Sequence, residues 1–154
     1  MGKLIAHFLI PGEPQGKARA KTVRLKNGLS HSYTPEKSVS YENWVKLCFQ
    51  ESVGADFIPV KGIFQVDIKA YMTPPKSKPK KWKWLALEEA VIRPAKKPDW
   101  DNIGKIVCDA LNGIAYHDDS AVVDGRVQKF YSEKPEVVVS IKDITDEQDT
   151  WTRK

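Results

Sequence analysis

The sequence has few cysteines and no long apolar run, and these absences exclude several classes of protein. The two cysteines, Cys48 and Cys108, form no CxxC pair and have no histidine at zinc-ligand spacing. A disulfide scaffold and a zinc finger are therefore excluded. No run of about 18 apolar residues is present, and residues 1–13 lack a signal-peptide pattern. We expect a soluble cytoplasmic protein with no membrane partner and with both cysteines as buried thiols.

Negative charge is in the minority, yet it is concentrated in one segment. The chain carries 25 Lys and Arg against 20 Asp and Glu, a formal net charge of +5. A basic protein attracts polyanions, whereas clustered carboxylates repel them unless a divalent cation lies between. The cluster, here called the acidic island, therefore predicts metal-dependent chemistry on phosphate. Its aspartates, among which Lys105 is the only Lys or Arg, are Asp99, Asp101, Asp109, Asp118, Asp119 and Asp124.

Hydrophobic periodicity predicts one domain that contains both strands and helices. Strands are expected at 3–10, 63–72, 121–131 and 136–142. Helices are expected from a Thr34 cap to about Ser52, over 84–90, and through 103–111 to the stop signal Asn112-Gly113. The domain is expected to cover 1–143, followed by a polar tail over 144–154.

The same periodicity predicts which side chains face the core. The strand at 63–72 alternates, with Phe64, Val66, Ile68 and Ala70 on one face. The first helix has apolar positions at Val39, Trp44, Leu47 and Cys48. In the last helix, the side chains expected to face the core are Ile103, Ile106, Val107, Ala110 and Leu111.

Two basic segments lie outside the acidic island. Basic residues recur over 17–26 before the turn signal Asn27-Gly28, which fits a loop or a hairpin. Residues 74–84 combine lysines, prolines and two tryptophans, which fits a tethered, mobile basic arm. A lysine run is usually a solvated segment, but interleaved Trp82 and Trp84 also favour contact with nucleic acid. Both interpretations stay open.

Spacing divides the aspartates of the acidic island. In an extended segment Asp99 and Asp101 share a face, while Trp100 points oppositely into the core. Asp118 and Asp119 point apart if their backbone is extended, so only one of them should join the same ion. Lys105 lies one helical turn beyond Asp101, within reach of a phosphate at the metal. This set would support hydrolysis of a phosphodiester assisted by Mg²⁺, which prefers oxygen ligands.

Each of these acids also has a purely structural interpretation. Asp99 or Asp101 alone would usually cap the helix that follows. The segment 118–120 between a helix and a strand is usually a solvated turn. Lys105 with Asp101 and Asp109 could form a surface ladder of ion pairs, and Asp109 is assigned to that ladder. Asp124, beside Gly125 and Arg126, favours local pairing.

Three motifs lie close together in the second half of the chain: KPDWDNIGK at 97–105, DALNG at 109–113 and DDSAVV at 118–123. Together they resemble the RusA family of Holliday junction resolvases. The opening GEPQGKAR at 12–19, with Tyr33-Thr34-Pro35, is similar to the basic N-terminal motif of the family. The resemblance covers most of the chain and is strongest over 97–131.

The resemblance implies an activity and a set of site residues. Members are small homodimeric endonucleases, often of phage or prophage origin, that use Mg²⁺ to nick four-way DNA junctions symmetrically in recombination and repair. The implied fold is α+β, a mixed sheet flanked by helices. The essential acids, which would be the metal ligands, match Asp99, Asp101 and Asp119, with Asp118 as a less critical neighbour. The catalytic lysine matches Lys105.

The resemblance also implies how DNA is held. Residues expected to contact backbone phosphates or the substrate near the site are Lys17, Arg19, Lys21, Lys96, Lys97 and Asn102. A C2 dimer would supply two sites for paired cuts. Two alternatives remain: a basic DNA-binding protein without catalysis, and a nuclease that prefers flaps, forks or single strands.

Overall fold

The central sheet of the protein has four strands in a mixed arrangement. The computed structural model describes residues 2–146. In chain order the elements are β1 (Lys3–Pro11), β2 (Lys21–Arg24), β3 (Ser30–Tyr33), α1 (Glu36–Val53), β4 (Phe64–Met72), α2 (Lys80–Leu87), α3 (Trp100–Leu111), a 3₁₀ turn (Asp119–Ala121), β5 (Val122–Tyr131) and β6 (Glu136–Asp143). The strand order is β1-β6-β4-β5, with only the β4–β5 pair parallel among these strands.

The helices cover one face of this sheet. Helix α1 packs on β1, α3 packs on β5, and the two helices contact each other. The predicted alternation in β4 is confirmed, since Phe64, Val66, Ile68 and Ala70 are all buried. The predicted α+β class and the mixed sheet are therefore confirmed.

Helix α3 buries the face that its sequence predicts. Its buried residues are Ile103, Ile106, Val107, Ala110 and Leu111. The helix also approaches β5 closely at Gly104, where an added Cβ would lie 3.1 Å from Val127 Cγ2. This contact fixes the start of α3, with its acidic residues, against the edge strand of the sheet.

The predicted first helix is confirmed as α1, but only one of the four apolar positions that indicated it, Cys48, is buried. Val39, Trp44 and Leu47 are exposed, and the buried stripe is Ser38, Tyr41, Val45, Cys48 and Phe49. Helical spacing allows two neighbouring stripes in this helix, and the packing against β1 selects the one that carries Phe49. Trp44 instead lies at the surface, where its indole N–H donates to the Pro11 carbonyl over 2.8 Å.

The basic segments also take definite structures. The segment around Asn27-Gly28 is a hairpin of β2 and β3, in which Gly28 has a positive φ of 85°. The predicted mobile arm is partly wrong, because helix α2 begins at Lys80 rather than at Trp84. Trp82 packs against Tyr131 of β5 with ring centroids 5.3 Å apart, so this end of the arm is docked on the sheet.

Two expectations concern the ends of the chain and the membrane. Within residues 2–146, no helix is both long and apolar enough to cross a membrane. Most of the predicted polar tail, residues 147–154, lies outside the described residues.

Candidate active site

The start of α3 presents two carboxylates to one surface pocket. Asp99 occupies the N-cap position, and Asp101 lies in the first turn. Within the described part of the chain, the Asp99 side chain makes no capping hydrogen bond, so the capping role does not account for it. Both acids are exposed. The pocket that they share is lined by Ala95, Lys96, Lys97, Asp99, Trp100, Asp101 and Lys129.

The predicted orientation of the residue between these acids is wrong. Helix α3 already includes Trp100, so Asp99, Trp100 and Asp101 do not alternate along an extended strand. In a helix successive side chains are rotated by about 100° rather than 180°, so the predicted opposition between Trp100 and the two acids does not apply. The Trp100 side chain is 62% exposed.

Lys105, the predicted catalytic lysine, lies on α3 and does not line this pocket. It follows Asp101 by one helical turn, and its side chain is 61% exposed. Its ammonium nitrogen is 3.8 Å from Asp109 Oδ2, which confirms the predicted ion pair between these two residues. Asp109 therefore holds the lysine on the same side of the helix as Asp101.

A second group of acids forms at the other end of α3. The Tyr116 ring is fully buried, and its hydroxyl donates to the Cys108 carbonyl over 2.8 Å. This contact anchors the loop that leads into the 3₁₀ turn at Asp119. The turn brings Asp119 within hydrogen-bonding reach of both Asp109 and Asp118.

The electrostatics separate the two adjacent acids. Partial burial, together with the neighbouring Asp118 and Asp109 carboxylates, raises the pKa of Asp119. The Ser120 hydroxyl, which donates to Asp118 Oδ2 over 2.8 Å, lowers the pKa of Asp118. Asp118 is extended, but Asp119 begins the three-residue 3₁₀ turn, so the extended backbone under which the two side chains would point apart covers only the first of them.

The three expected metal ligands do not form one cluster in the described part of the chain. Among residues 2–146, no group of three or more Asp, Glu, His or Cys side chains has the arrangement that a metal ion needs, and this includes the neighbouring Asp109, Asp118 and Asp119. Asp119 lies beside Asp109, which is eight residues after Asp101 and so about 12 Å further along the helix axis. The binding of one ion by Asp99, Asp101 and Asp119 together therefore stays a prediction.

Lys17 has a different place from the one expected for a DNA contact. Its ammonium group pairs with Glu42 and lies 3.6 Å from Asp109 Oδ2. The side chains of Lys17 and Glu42 are only 15% and 16% exposed. In this conformation Lys17 joins α1 to α3 and is not free to meet a phosphate.

The main chain beside Lys17 is fitted closely to α3. The Lys17 N–H donates to the Asn102 carbonyl over 2.9 Å. A Cβ added at Gly16 would lie 3.0 Å from Pro98 Cβ and 3.1 Å from Asn102 Cβ. The basic N-terminal segment is thus attached to the first turn of α3, next to Asp99.

The other residues expected to contact DNA lie at the surface near this attachment. Arg19, Lys21, Lys96 and Lys97 are exposed, whereas Asn102 is half-buried. Asn102 and Lys97 also line a pocket with Asp99 and Gln15. Their positions are compatible with DNA contact, and their role stays a prediction.

Two residues that contact the predicted site residues were not themselves assigned to the site from the sequence. Asp109 lies four residues after Lys105 and eight after Asp101, a spacing that signalled a common helical face. Its contact with Asp119 had no sequence signal, because it depends on the loop anchored by Tyr116. Glu42 also had none, since α1 and α3 are brought together only by the fold.

A family comparison decides what this combination of fold and site represents. The model of the family described as endodeoxyribonuclease RusA matches residues 11–142. The chain belongs to the RusA family. The match includes both ends of α3, the 3₁₀ turn and the basic N-terminal segment. The RusA resemblance of the sequence is therefore confirmed, and the chain is a member of an endodeoxyribonuclease family.

A bacterial relative aligns with most of this RusA-family chain. The uncharacterized protein YqaN of Bacillus subtilis (strain 168) is 41% identical over 142 residues. The alignment covers 90% of this chain and 96% of the relative.

Proposed function

We propose that this RusA-family protein is a Mg²⁺-dependent, structure-specific endodeoxyribonuclease that resolves Holliday junctions. It acts as a homodimer in the cytoplasm and makes paired symmetric nicks during DNA recombination and repair. The observation that carries the proposal is the pocket at the start of α3, where Asp99 and Asp101 lie beside Lys96, Lys97 and Lys129. Together with the family match over 11–142, this pocket offers carboxylates and cations where a phosphate backbone would lie.

The donor chemistry of this pocket fits Mg²⁺ in part. Mg²⁺ binds carboxylate oxygens, keeps several waters and often takes further ligands from substrate phosphates, so one or two protein carboxylates can suffice. Asp99 and Asp101 are exposed acids of this kind. When bound, Mg²⁺ would polarise the scissile phosphate and favour deprotonation of the attacking water. Asp119 stays the proposed third acid, although the single protomer holds it beside Asp109.

The chain's own cations have separate tasks in this proposal. Lys105 neutralises charge on the phosphate that is cut, and Asp109 keeps its ammonium group on the side of Asp101. Arg19 and Lys21 hold the backbone of the DNA arms, as do Lys96 and Lys97, without reading sequence. Lys17 contributes by fastening the basic N-terminal segment to α3.

A variant of one carboxylate tests the assignment of catalysis. Asp101→Asn is expected to abolish nicking of a synthetic four-way junction and to leave junction binding largely intact, because it removes an anionic oxygen without changing size. Asp124→Asn is the matched control, since Asp124 lies on β5 and accepts a hydrogen bond from Gln65 over 3.3 Å. Mg²⁺-dependent nicking by Asp101→Asn at the wild-type rate would sink the assignment.

The competing functions make different predictions. A DNA-binding protein whose aspartates only cap helices and form turns would cut no DNA with any divalent ion. The Asp99 carboxylate makes no capping hydrogen bond, which argues against this alternative. A nuclease of another preference would cut flaps, forks or single strands as fast as junctions. Competition among four-way, three-way, flap and linear duplex substrates distinguishes them, and equal rates on all would reject junction selectivity.

A further inference from the structure

Trp100 is an exposed aromatic residue in the middle of the candidate active site. It is 62% exposed and lies between Asp99 and Asp101 in the sequence. Trp100 lines the pocket that holds these acids, and it also lines the adjacent groove, where Val66, Ile68 and Val127 lie together with Arg126 of β5. Exposure of so large an apolar surface to water is unfavourable. Binding of a partner that covers the ring would therefore be favoured.

The surroundings of Trp100 indicate what that partner is. Lys96, Lys97 and Lys129 lie around the same pocket. The cores of protein–protein interfaces are poor in charged residues, so a ring with lysines and carboxylates along one of the two pockets that it lines fits such an interface badly. A nucleotide fits better, because its base can stack on the indole while its phosphate is attracted by the lysines.

We propose that Trp100 stacks on an unpaired nucleobase next to the phosphate to be cut, and so helps to hold the centre of a junction open. This inference rests on the proposed function. Fully paired duplex keeps its bases stacked on each other, so an exposed indole would engage a branch point or a single strand in preference to linear duplex. Trp100 would thereby favour branched substrates at the same site that carries the acids.

Nicking rates of three variants test the proposal. Trp100→Ala is expected to lower the rate on a fully paired four-way junction by about 5-fold to 150-fold, the range of lost base–aromatic stacking. Trp100→Phe should keep most of the activity because it keeps an aromatic face. Ile58→Ala is the control, since Ile58 is 77% exposed and lies between α1 and β4. A junction with mismatched nucleotides at its centre should reduce the Trp100→Ala defect several-fold.

Binding without metal tests stacking independently of cleavage. In EDTA, a four-way junction should quench the tryptophan emission of the wild type more than that of Trp100→Phe, and linear duplex should show a smaller difference. Equal quenching of the two proteins would overturn the inference. So would Trp100→Ala nicking within twofold of the wild type, or a change of oligomeric state in Trp100→Ala by sedimentation. A wild type that quenches in this way but never nicks would instead reject only the proposed function.

Discussion

At the scale of single residues, the acids of α3 differ in what surrounds them. Asp99 and Asp101 are exposed beside lysines, whereas Asp119 is partly buried beside two other carboxylates. Like charges at short distance disfavour ionisation, so the folded protein stabilises the protonated form of Asp119 relative to the unfolded chain. At neutral pH the ionised Asp119 therefore lowers the free energy of unfolding, and a bound cation would reduce this destabilisation.

Asp119→Asn is therefore expected to stabilise the metal-free protein at neutral pH. The folded-state pKa of Asp119 is raised, so its destabilising effect is present above that pKa and disappears as the pH falls below the unfolded value of about 3.9. The melting temperature of Asp119→Asn should exceed that of the wild type at pH 7, and the difference should vanish near pH 3.

Magnesium should reduce this difference in melting temperature. Added Mg²⁺ should raise the melting temperature of the wild type more than that of Asp119→Asn, if Asp119 contributes to ion binding. Asp124→Asn provides the surface-aspartate control. A lower melting temperature for Asp119→Asn at pH 7 without metal would contradict the account.

At the scale of elements, the site depends on how α1, α3 and the N-terminal segment are joined. The joint consists of the Lys17–Glu42 pair, the Lys17–Asp109 contact and the close approach of Gly16 to α3. Each part links segments that are far apart in the sequence. The joint holds the basic segment next to Asp99.

Removing the charge of Glu42 should weaken this joint. Glu42→Gln leaves the partly buried ammonium of Lys17 with Asp109 as its remaining close carboxylate, so the free energy of unfolding should fall by about 1 to 3 kcal/mol. Glu36→Gln, an exposed glutamate of the same helix, should change it by less than about 0.5 kcal/mol. Urea denaturation measures both, and equal effects would show that the pair contributes nothing.

Adding a methyl group at Gly16 tests the close approach itself. Gly16→Ala places a Cβ against Pro98 and Asn102, so the free energy of unfolding should fall by about 1 to 3 kcal/mol. Gly125→Ala is the matched control, because no atom of the described residues lies within 4 Å of its added Cβ. Thermal unfolding of the two variants should differ clearly, and a neutral Gly16→Ala would mean that the segment does not pack on α3 as described.

The elements also show what the sequence can and cannot predict. The strands and the buried face of α3 were predicted correctly because their periodicity allows one solution, as Phe64, Val66 and Ile106 illustrate. In α1 two stripes compete, and only contact with β1 decides between them. Lys17 meets Glu42, and Asp109 meets Asp119, through tertiary contacts, which leave no local pattern in the sequence. Trp100 was misplaced because the start of α3 was predicted too late.

At the scale of the whole molecule, the proposal requires two sites to act on one junction. A C2 dimer presents identical sites related by a two-fold axis, and this symmetry matches the two strands that must be cut. The positive net charge favours binding of the DNA arms. The carboxylates of Asp99 and Asp101 would bind a cation between the protein and the DNA backbone.

Coordinated cutting by a dimer has a direct signature on a supercoiled plasmid that extrudes a cruciform. Two nicks made within the lifetime of one complex give linear DNA, whereas independent nicks give relaxed circles first. We expect linear DNA as the main product at limiting enzyme. Accumulation of relaxed circles before any linear DNA would contradict coordinated action by two sites.

The most direct measurement is to incubate the purified protein with a mobile four-way junction, with and without Mg²⁺, and to map the nicks. The account predicts nicks at symmetry-related positions in two opposing strands, only when Mg²⁺ is present. No nick with any divalent ion, or equal nicking of linear duplex, would contradict it.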